Sequence, residues 1–114
     1  MIGVFCHDSG SAELISSLIL TNKKKYLYNT SGPATKIFKK KIRDFNPSNV
    51  KYIYHNCTYV LIGTSWKKNY VLNILKKTNK LNIKSIVFLD HWGNYIDAFT
   101  ENDKLILPNE FWVC

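Results

Sequence analysis

The 114-residue chain has little of what disulfide-bonded, zinc-binding or membrane-spanning proteins need. Its cysteines, Cys6, Cys57 and Cys114, are odd in number and form no C-x-x-C pair, which argues against a disulfide framework or a zinc site. No apolar run approaches the roughly 18 residues of a membrane helix. The apolar start lacks a preceding basic region and is broken at His7, so we interpret it as a strand and not as a signal peptide. We therefore expect a cytoplasmic protein with reduced thiols.

Arginine is nearly absent from a strongly basic chain. Lys and Arg together number 16 against 8 Asp and Glu, a formal net charge of +8, yet Arg43 is the sole arginine. Arginine is the side chain suited to bidentate contacts with phosphates and bases. The lysines stand in scattered pairs and triplets at the expected helix ends and polar helix faces. We therefore expect solvated lysines and no nucleic-acid partner.

The motifs of common nucleotide sites and nucleophilic enzymes are also lacking. The first predicted strand is followed by H-D-S-G-S-A, which carries Gly10 alone and so is no G-x-G-x-x-G fingerprint, and no Walker sequence is present. Ser65 in G-T-S-W does not fit the G-x-S-x-G elbow. Cys6 lies inside a predicted strand, where a buried core thiol is expected. We expect no cofactor in this chain.

What the sequence does contain is an alternation of apolar strands with amphipathic helices. The pattern predicts strands over 2–6, 25–29, 58–63, 85–89 and 111–114, and helices over 11–21, from Pro33 to about Phe45, and over 69–80. The stretch 49–56 fits either a strand or a short helix capped by Ser48, and we favour the helix. This order predicts an α/β fold, a single domain over 1–114 with three layers and a mostly parallel, doubly wound, Rossmann-like sheet.

The last predicted element is a strand with no helix after it. In a doubly wound fold a helix would normally cover such a strand. We expect this strand either to lie at an edge of the sheet or to belong to the first half of a longer two-domain protein.

Polar turns follow four of the predicted strands, at the edge where open α/β sheets bind ligands. They concentrate glycine, hydroxyl, acid, imidazole and indole groups. The candidate binding residues are His7, Ser9, Gly10, Ser31, Gly32, Gly63, Thr64, Ser65 and Trp92, and the candidate catalytic residues are Asp8, Asp90 and His91.

Each turn also has a purely structural interpretation. Gly10 and Gly32 suit tight strand-to-helix turns, and Ser9 or Ser11 can cap the first helix. Likewise Ser31, Thr64 and Ser65 stand where later helices could use a cap.

The acids and imidazoles leave a choice of chemistry. Two Asp and two His at neighbouring strand ends could bind a metal, or a His-Asp pair could serve as general base and orienter. We disfavour the metal, because neighbouring side chains in H-D and D-H point apart more often than together.

Five strings in order, HDSGSAELISSLI, SGPATKIF, VLIGTSW, VFLDHWGNYIDAF and LPNEFWVC, resemble bacterial proteins of polysaccharide and surface-sugar biosynthesis. Those proteins look like the N-terminal half of GT-B glycosyltransferases and nucleotide-sugar 2-epimerases. The resemblance covers nearly the whole chain, and D-H-W-x-N-Y and L-P-x-E-x-W-V are its most specific pieces.

The resemblance implies an acceptor-side domain of a glycosyltransferase-like protein, with Asp8, Asp90 or His91 as general base. The half that would bind a nucleotide-sugar donor is not in this chain. We therefore expect a domain that binds a sugar or phosphosugar without turnover and that pairs with a second domain or forms a homo-oligomer. The alternative is a stand-alone, non-catalytic binding module for a small sugar or phosphate ligand or for a protein partner.

Overall fold

The computed structural model describes residues 1–67, 69–89 and 99–113. Its elements are, in chain order, β1 (Ile2–Cys6), α1 (Ser9–Thr21), β2 (Tyr26–Thr30), α2 (Pro33–Lys41), α3 (Val50–Asn56), β3 (Tyr59–Gly63), α4 (Tyr70–Lys80), β4 (Lys84–Leu89), β5 (Thr100–Glu101), β6 (Lys104–Leu105) and β7 (Glu110–Val113). Within these ranges, none of the helices has the length and apolar composition needed to cross a membrane.

The main sheet has five strands in the order β2-β1-β3-β4-β7, and every neighbouring pair is parallel. The direction of winding reverses between β1 and β3, because the chain first builds outwards to β2 and then returns to the other side of β1. This confirms the predicted α/β fold with a parallel, Rossmann-like sheet. The reversal leaves a crevice between the turns after β1 and β3, where sheets of this kind bind ligands.

Two apolar cores lie on opposite faces of the sheet and make the fold three-layered. On β1, Val4 and Cys6 belong to the core that α1 and α2 cover, whereas Phe5 belongs to the core under α3 and α4. This alternation follows from the period of two along a strand. Burial on both faces also explains why β1, β3 and β4 are almost continuously apolar.

The two edges of the sheet differ. Outside β2, Pro47 forms a bridge with Tyr28, and the Ser48 N–H donates to the Tyr28 carbonyl at 2.6 Å. At the other edge the described residues place no strand beyond β7, where Trp112 and Val113 are 39% and 49% exposed. The described residues thus place the last strand at an edge of the sheet, and the alternative that it belongs to the first half of a longer two-domain protein stays a prediction.

Some boundaries differ from the prediction. Helix α2 ends at Lys41 because Ile42 takes an extended conformation, and Phe45 reaches the core from a turn by packing on Tyr28 and Phe38. The favoured helix at 49–56 is confirmed as α3, but its cap is Asn49 and not Ser48: Asn49 Oδ1 accepts from the Tyr52 N–H at 2.8 Å. The short β5–β6 hairpin was not predicted.

Candidate functional site

The carboxylate of Asp8 joins the turn after β1 to the turn after β3. Ser65 Oγ donates to Asp8 Oδ1 at 2.6 Å, and the Trp66 backbone N–H donates to Oδ2 at 2.8 Å. His7 Nδ1 lies 2.7 Å from Oδ1. The structure thus brings together His7, Asp8 and Ser65, three of the predicted site residues, at the point where the winding of the sheet reverses.

These contacts set the charge state of Asp8. Burial on its own raises the pKa of this carboxyl, but hydrogen bonds from Ser65, Trp66 and His7 outweigh it and hold the pKa below the ordinary value of 3.8. A carboxylate stabilised by several donors has little tendency to take a proton. The geometry therefore suits Asp8 to joining the turns and orienting His7 better than to acting as a general base.

The contact with Asp8 also determines which ring nitrogen of His7 carries a proton towards the carboxylate. An ionised carboxylate can only accept, so the Nδ1 of His7 must donate, and in the neutral ring Nε2 is then the acceptor. The Nε2 side of the ring faces the turn after β2, where a Cβ on Gly32 would lie 2.7 Å from Nε2. Gly32 also has a φ of +55°, which disfavours any other residue. This third predicted turn is therefore shaped around His7.

A buried hydroxyl fixes the start of α1 against β3. The Oγ of Ser11 is 3.3 Å from both the Asp8 and the Thr64 carbonyl oxygens and 3.4 Å from Cys6 Sγ. A Cβ on Gly63 would lie 2.5 Å from this Oγ, so the helix can approach the strand because position 63 has no side chain. Gly63 and Thr64, two predicted binding residues, thus have a packing role here.

The predicted helix caps are wrong. Asp8 is the N-cap of α1 but its side chain makes no capping bond, because the carboxylate is turned towards Ser65 and Trp66. Neither Ser9 nor Ser11 caps this helix, and Gly10 lies within its first turn and not in a tight turn before it. The caps of α2 and α4 are Gly32 and Asn69, so Ser31, Thr64 and Ser65 are not N-caps either.

A pocket of about 280 Å³ opens beside this cluster, between α3 and α4. Its apolar lining includes Phe5 and Ile74, and its polar lining is Asn29, Tyr54, Lys67, Tyr70 and Asn73. The ring of Tyr54 stacks on Phe5 with 5.6 Å between centroids. Sequence reasoning missed these polar residues. The usable signal was the spacing of Lys67, Tyr70 and Asn73, three residues apart around the start of α4.

Tyr70 links the pocket to the Asp8 cluster. Its ring lies 5.9 Å from the His7 ring, and its hydroxyl is buried without a hydrogen bond in the part of the chain that the structure describes. Burial raises the pKa of this phenol strongly, and nearby Cys6, Asp8 and Tyr54 add to the rise. The hydroxyl therefore stays protonated and is an unused donor.

The remaining predicted residues, Asp90, His91 and Trp92, lie outside the described residues. Across 1–67, 69–89 and 99–113, no group of three or more His, Cys, Asp or Glu side chains is placed to hold a metal ion. Comparison of the chain with protein-family models, with curated proteins and with solved structures gave no match.

The role of Asp8 predicts a pH-dependent loss of stability in Asp8→Asn. The folded-state pKa is below the unfolded value of 3.8, so the stabilisation is complete above that value and is lost as the pH falls through the folded pKa. We expect Asp8→Asn to lower the free energy of unfolding by about 1 kcal/mol at pH 7 and by less near pH 3. Urea denaturation followed by circular dichroism measures both. Exposed Asp44→Asn is the control, and an equal loss at both pH values would contradict the assignment.

Two glycine substitutions should change stability in opposite directions. Gly63→Ala places a methyl group against Ser11 Oγ and 3.1 Å from Cys6 Sγ, both buried, and should destabilise the fold by about 1–3 kcal/mol. Gly10→Ala lies in the exposed first turn of α1 and should stabilise it by about 0.5 kcal/mol. Thermal unfolding compares the two, and a neutral Gly63→Ala would show that α1 does not depend on this close approach.

Because the Tyr70 hydroxyl has no partner among the described residues, its removal should stabilise the fold. Tyr70→Phe removes a buried donor that has no partner among the described residues, so the free energy of unfolding should rise by about 1 kcal/mol. Tyr26→Phe is the matched control with the opposite sign, because the Tyr26 hydroxyl donates to the Asn22 carbonyl at 2.9 Å. Chemical denaturation distinguishes them. A loss of stability in Tyr70→Phe would mean that the hydroxyl is paired in solution.

Proposed function

We propose that this chain is a binding module whose pocket between α3 and α4 takes a small phosphorylated sugar, without performing chemistry on it. The observation that carries the proposal is the lining of that pocket. It combines the ammonium group of Lys67 with the amides of Asn29 and Asn73 and the aromatic ring of Tyr54. This is the chemistry that recognises a phosphate, ring hydroxyls and the face of a sugar.

The charge and position of the lining support the proposal. Lys67 is exposed and forms no ion pair within the described ranges, so its charge is free to meet an anion. The pocket draws Phe5 and Asn29 from near the carboxyl ends of β1 and β2, the edge at which open α/β sheets bind ligands. Its volume is at the small end for ligand sites, which favours a single sugar ring over a larger nucleotide-sugar.

Binding without chemistry is favoured by Asp8. The Asp8 carboxylate, the one predicted catalytic group that lies within the described residues, is held by Ser65, Trp66 and His7 and has a lowered pKa. It is therefore poorly placed to take a proton from a ligand hydroxyl at neutral pH.

A second candidate is the acceptor-side domain of a glycosyltransferase-like protein, which rests on the sequence resemblance. His7 is the observation that fits it, since Asp8 orients the ring and, in the neutral imidazole, Nε2 is the acceptor. This candidate needs a partner that supplies the donor site. The two functions differ in one measurable respect: the second predicts consumption of a sugar donor when such a partner is added, and the first predicts binding alone.

A ligand titration on matched lysine variants tests the proposal. Sugar phosphates at about 100 times their Kd should stabilise the wild type by about 2.7 kcal/mol, seen as a rise in Tm, whereas the free sugars should have little effect. Lys67→Met should weaken the affinity about tenfold, because it removes a charge-assisted hydrogen bond. Lys51→Met, on the exposed side of α3, is the control and should bind as the wild type does.

Three outcomes would count against the proposal. The absence of any shift with a panel of hexose and pentose phosphates would remove the small-ligand function. An equal shift with inorganic phosphate alone would reduce it to anion binding without sugar recognition. Equal weakening by Lys67→Met and Lys51→Met would show that net charge, and not this pocket, attracts the ligand.

A further inference from the structure

Another pocket, with a volume of about 400 Å³, lies at the opposite end of the strands from the one between α3 and α4. Its floor is formed by Ile2, Leu61 and Ile86, which come from β1, β3 and β4 on the sheet face that α1 covers. We call it the amino-end pocket. None of its lining residues belongs to the pocket beside Asp8, so it is a separate site.

The walls of the amino-end pocket are aromatic. Tyr26 on β2 and Tyr59 on β3 flank β1, and both are in register with Ile2. Trp112 on β7 lines the far side of the pocket. The Trp112 ring is fixed by an edge-on contact with Phe88, 5.3 Å between centroids, yet the residue remains 39% exposed. An apolar floor between aromatic side chains favours a flat, ring-bearing ligand.

The charge at the rim favours a single negative group on that ligand. Lys84 Nζ pairs with Glu110 Oε2 at 2.8 Å, so these two side chains offset each other. Lys24 also lines the pocket and forms no ion pair with any described residue. The nearby Asn22 carbonyl is occupied by the Tyr26 hydroxyl. One unbalanced positive charge therefore stands at the mouth of an aromatic-walled pocket.

We propose that the amino-end pocket binds a planar aromatic monoanion, an aromatic carboxylate, with its ring between the tyrosines and Trp112 and its carboxylate at Lys24. A ring of two fused six-membered cycles fits the volume. A neutral molecule of the same shape loses the contact with Lys24. A sugar phosphate would bury ring hydroxyls against the apolar floor without hydrogen-bond partners, so the two pockets select different ligands.

The test is a calorimetric titration of the full chain with 2-naphthoate and, for comparison, with neutral 2-naphthol. The proposal expects naphthoate to bind with a measurable heat and naphthol to bind more weakly. Lys24→Glu should reduce the naphthoate affinity about fivefold, since it reverses an exposed charge. Lys23→Glu makes the same change in net charge next to the pocket and should leave the affinity within about twofold of the wild type.

A second pair of variants tests the ring contact. Trp112→Leu should weaken naphthoate binding about tenfold, whereas Trp66→Leu, at a residue 84% exposed near the other end of the sheet, should not change it. No heat with the wild type, equal binding of naphthol and naphthoate, or equal effects of Lys23→Glu and Lys24→Glu would overturn the proposal. Because Lys67→Met should leave naphthoate binding unchanged, failure here and failure of the sugar-phosphate function can be told apart.

Discussion

The hydrogen bonds of the Asp8 carboxylate are the constraint on which the carboxyl edge of the sheet depends. At the N-cap of a helix, an aspartate ordinarily accepts from the first free N–H groups of that helix. Here the carboxylate turns instead towards Ser65 and the Trp66 N–H, across the crevice where the winding reverses. The start of α1 is then held by the contact of Ser11 with the Thr64 carbonyl and by the missing side chain at Gly63.

Asp8 has a structural role at the carboxyl edge of the sheet that makes it a poor catalytic base. The same donors that fix the two turns hold the pKa of the carboxyl down, so the residue that best organises the site is poorly suited to accept a proton. In the neutral imidazole the free hydrogen-bond acceptor of this cluster is His7 Nε2, and that nitrogen lies close to Gly32. In the adjacent pocket, by contrast, Lys67 and Asn73 are exposed, which is why the proposed binding function is placed there.

The fold could be predicted because its signals are local. Apolar runs at β1, β3 and β4, and the periodicity of α1 and α4, identify buried strands and covered helices without any knowledge of their partners. The clustering of His7, Asp8 and Ser65 followed from one general rule about parallel sheets. The direction in which Asp8 turns could not be predicted, because a free backbone N–H is available both in its own helix and after β3. The pocket was missed for a similar reason, since Tyr54 and Lys67 meet only once α3 and α4 are packed.

Tyr70 shows how the pocket and the Asp8 cluster are connected. Its ring packs beside His7 and lines the pocket, a role that phenylalanine would fill equally well. Its hydroxyl lies near Cys6, Asp8 and Tyr54, is buried, and has no partner among the described residues, so by itself it costs stability. A buried polar group that lowers stability and gains no compensating contact in the fold is typical of positions where ligand binding, and not folding, determines the residue. The Tyr70 hydroxyl is thus the feature of this edge that packing among the described residues leaves unexplained.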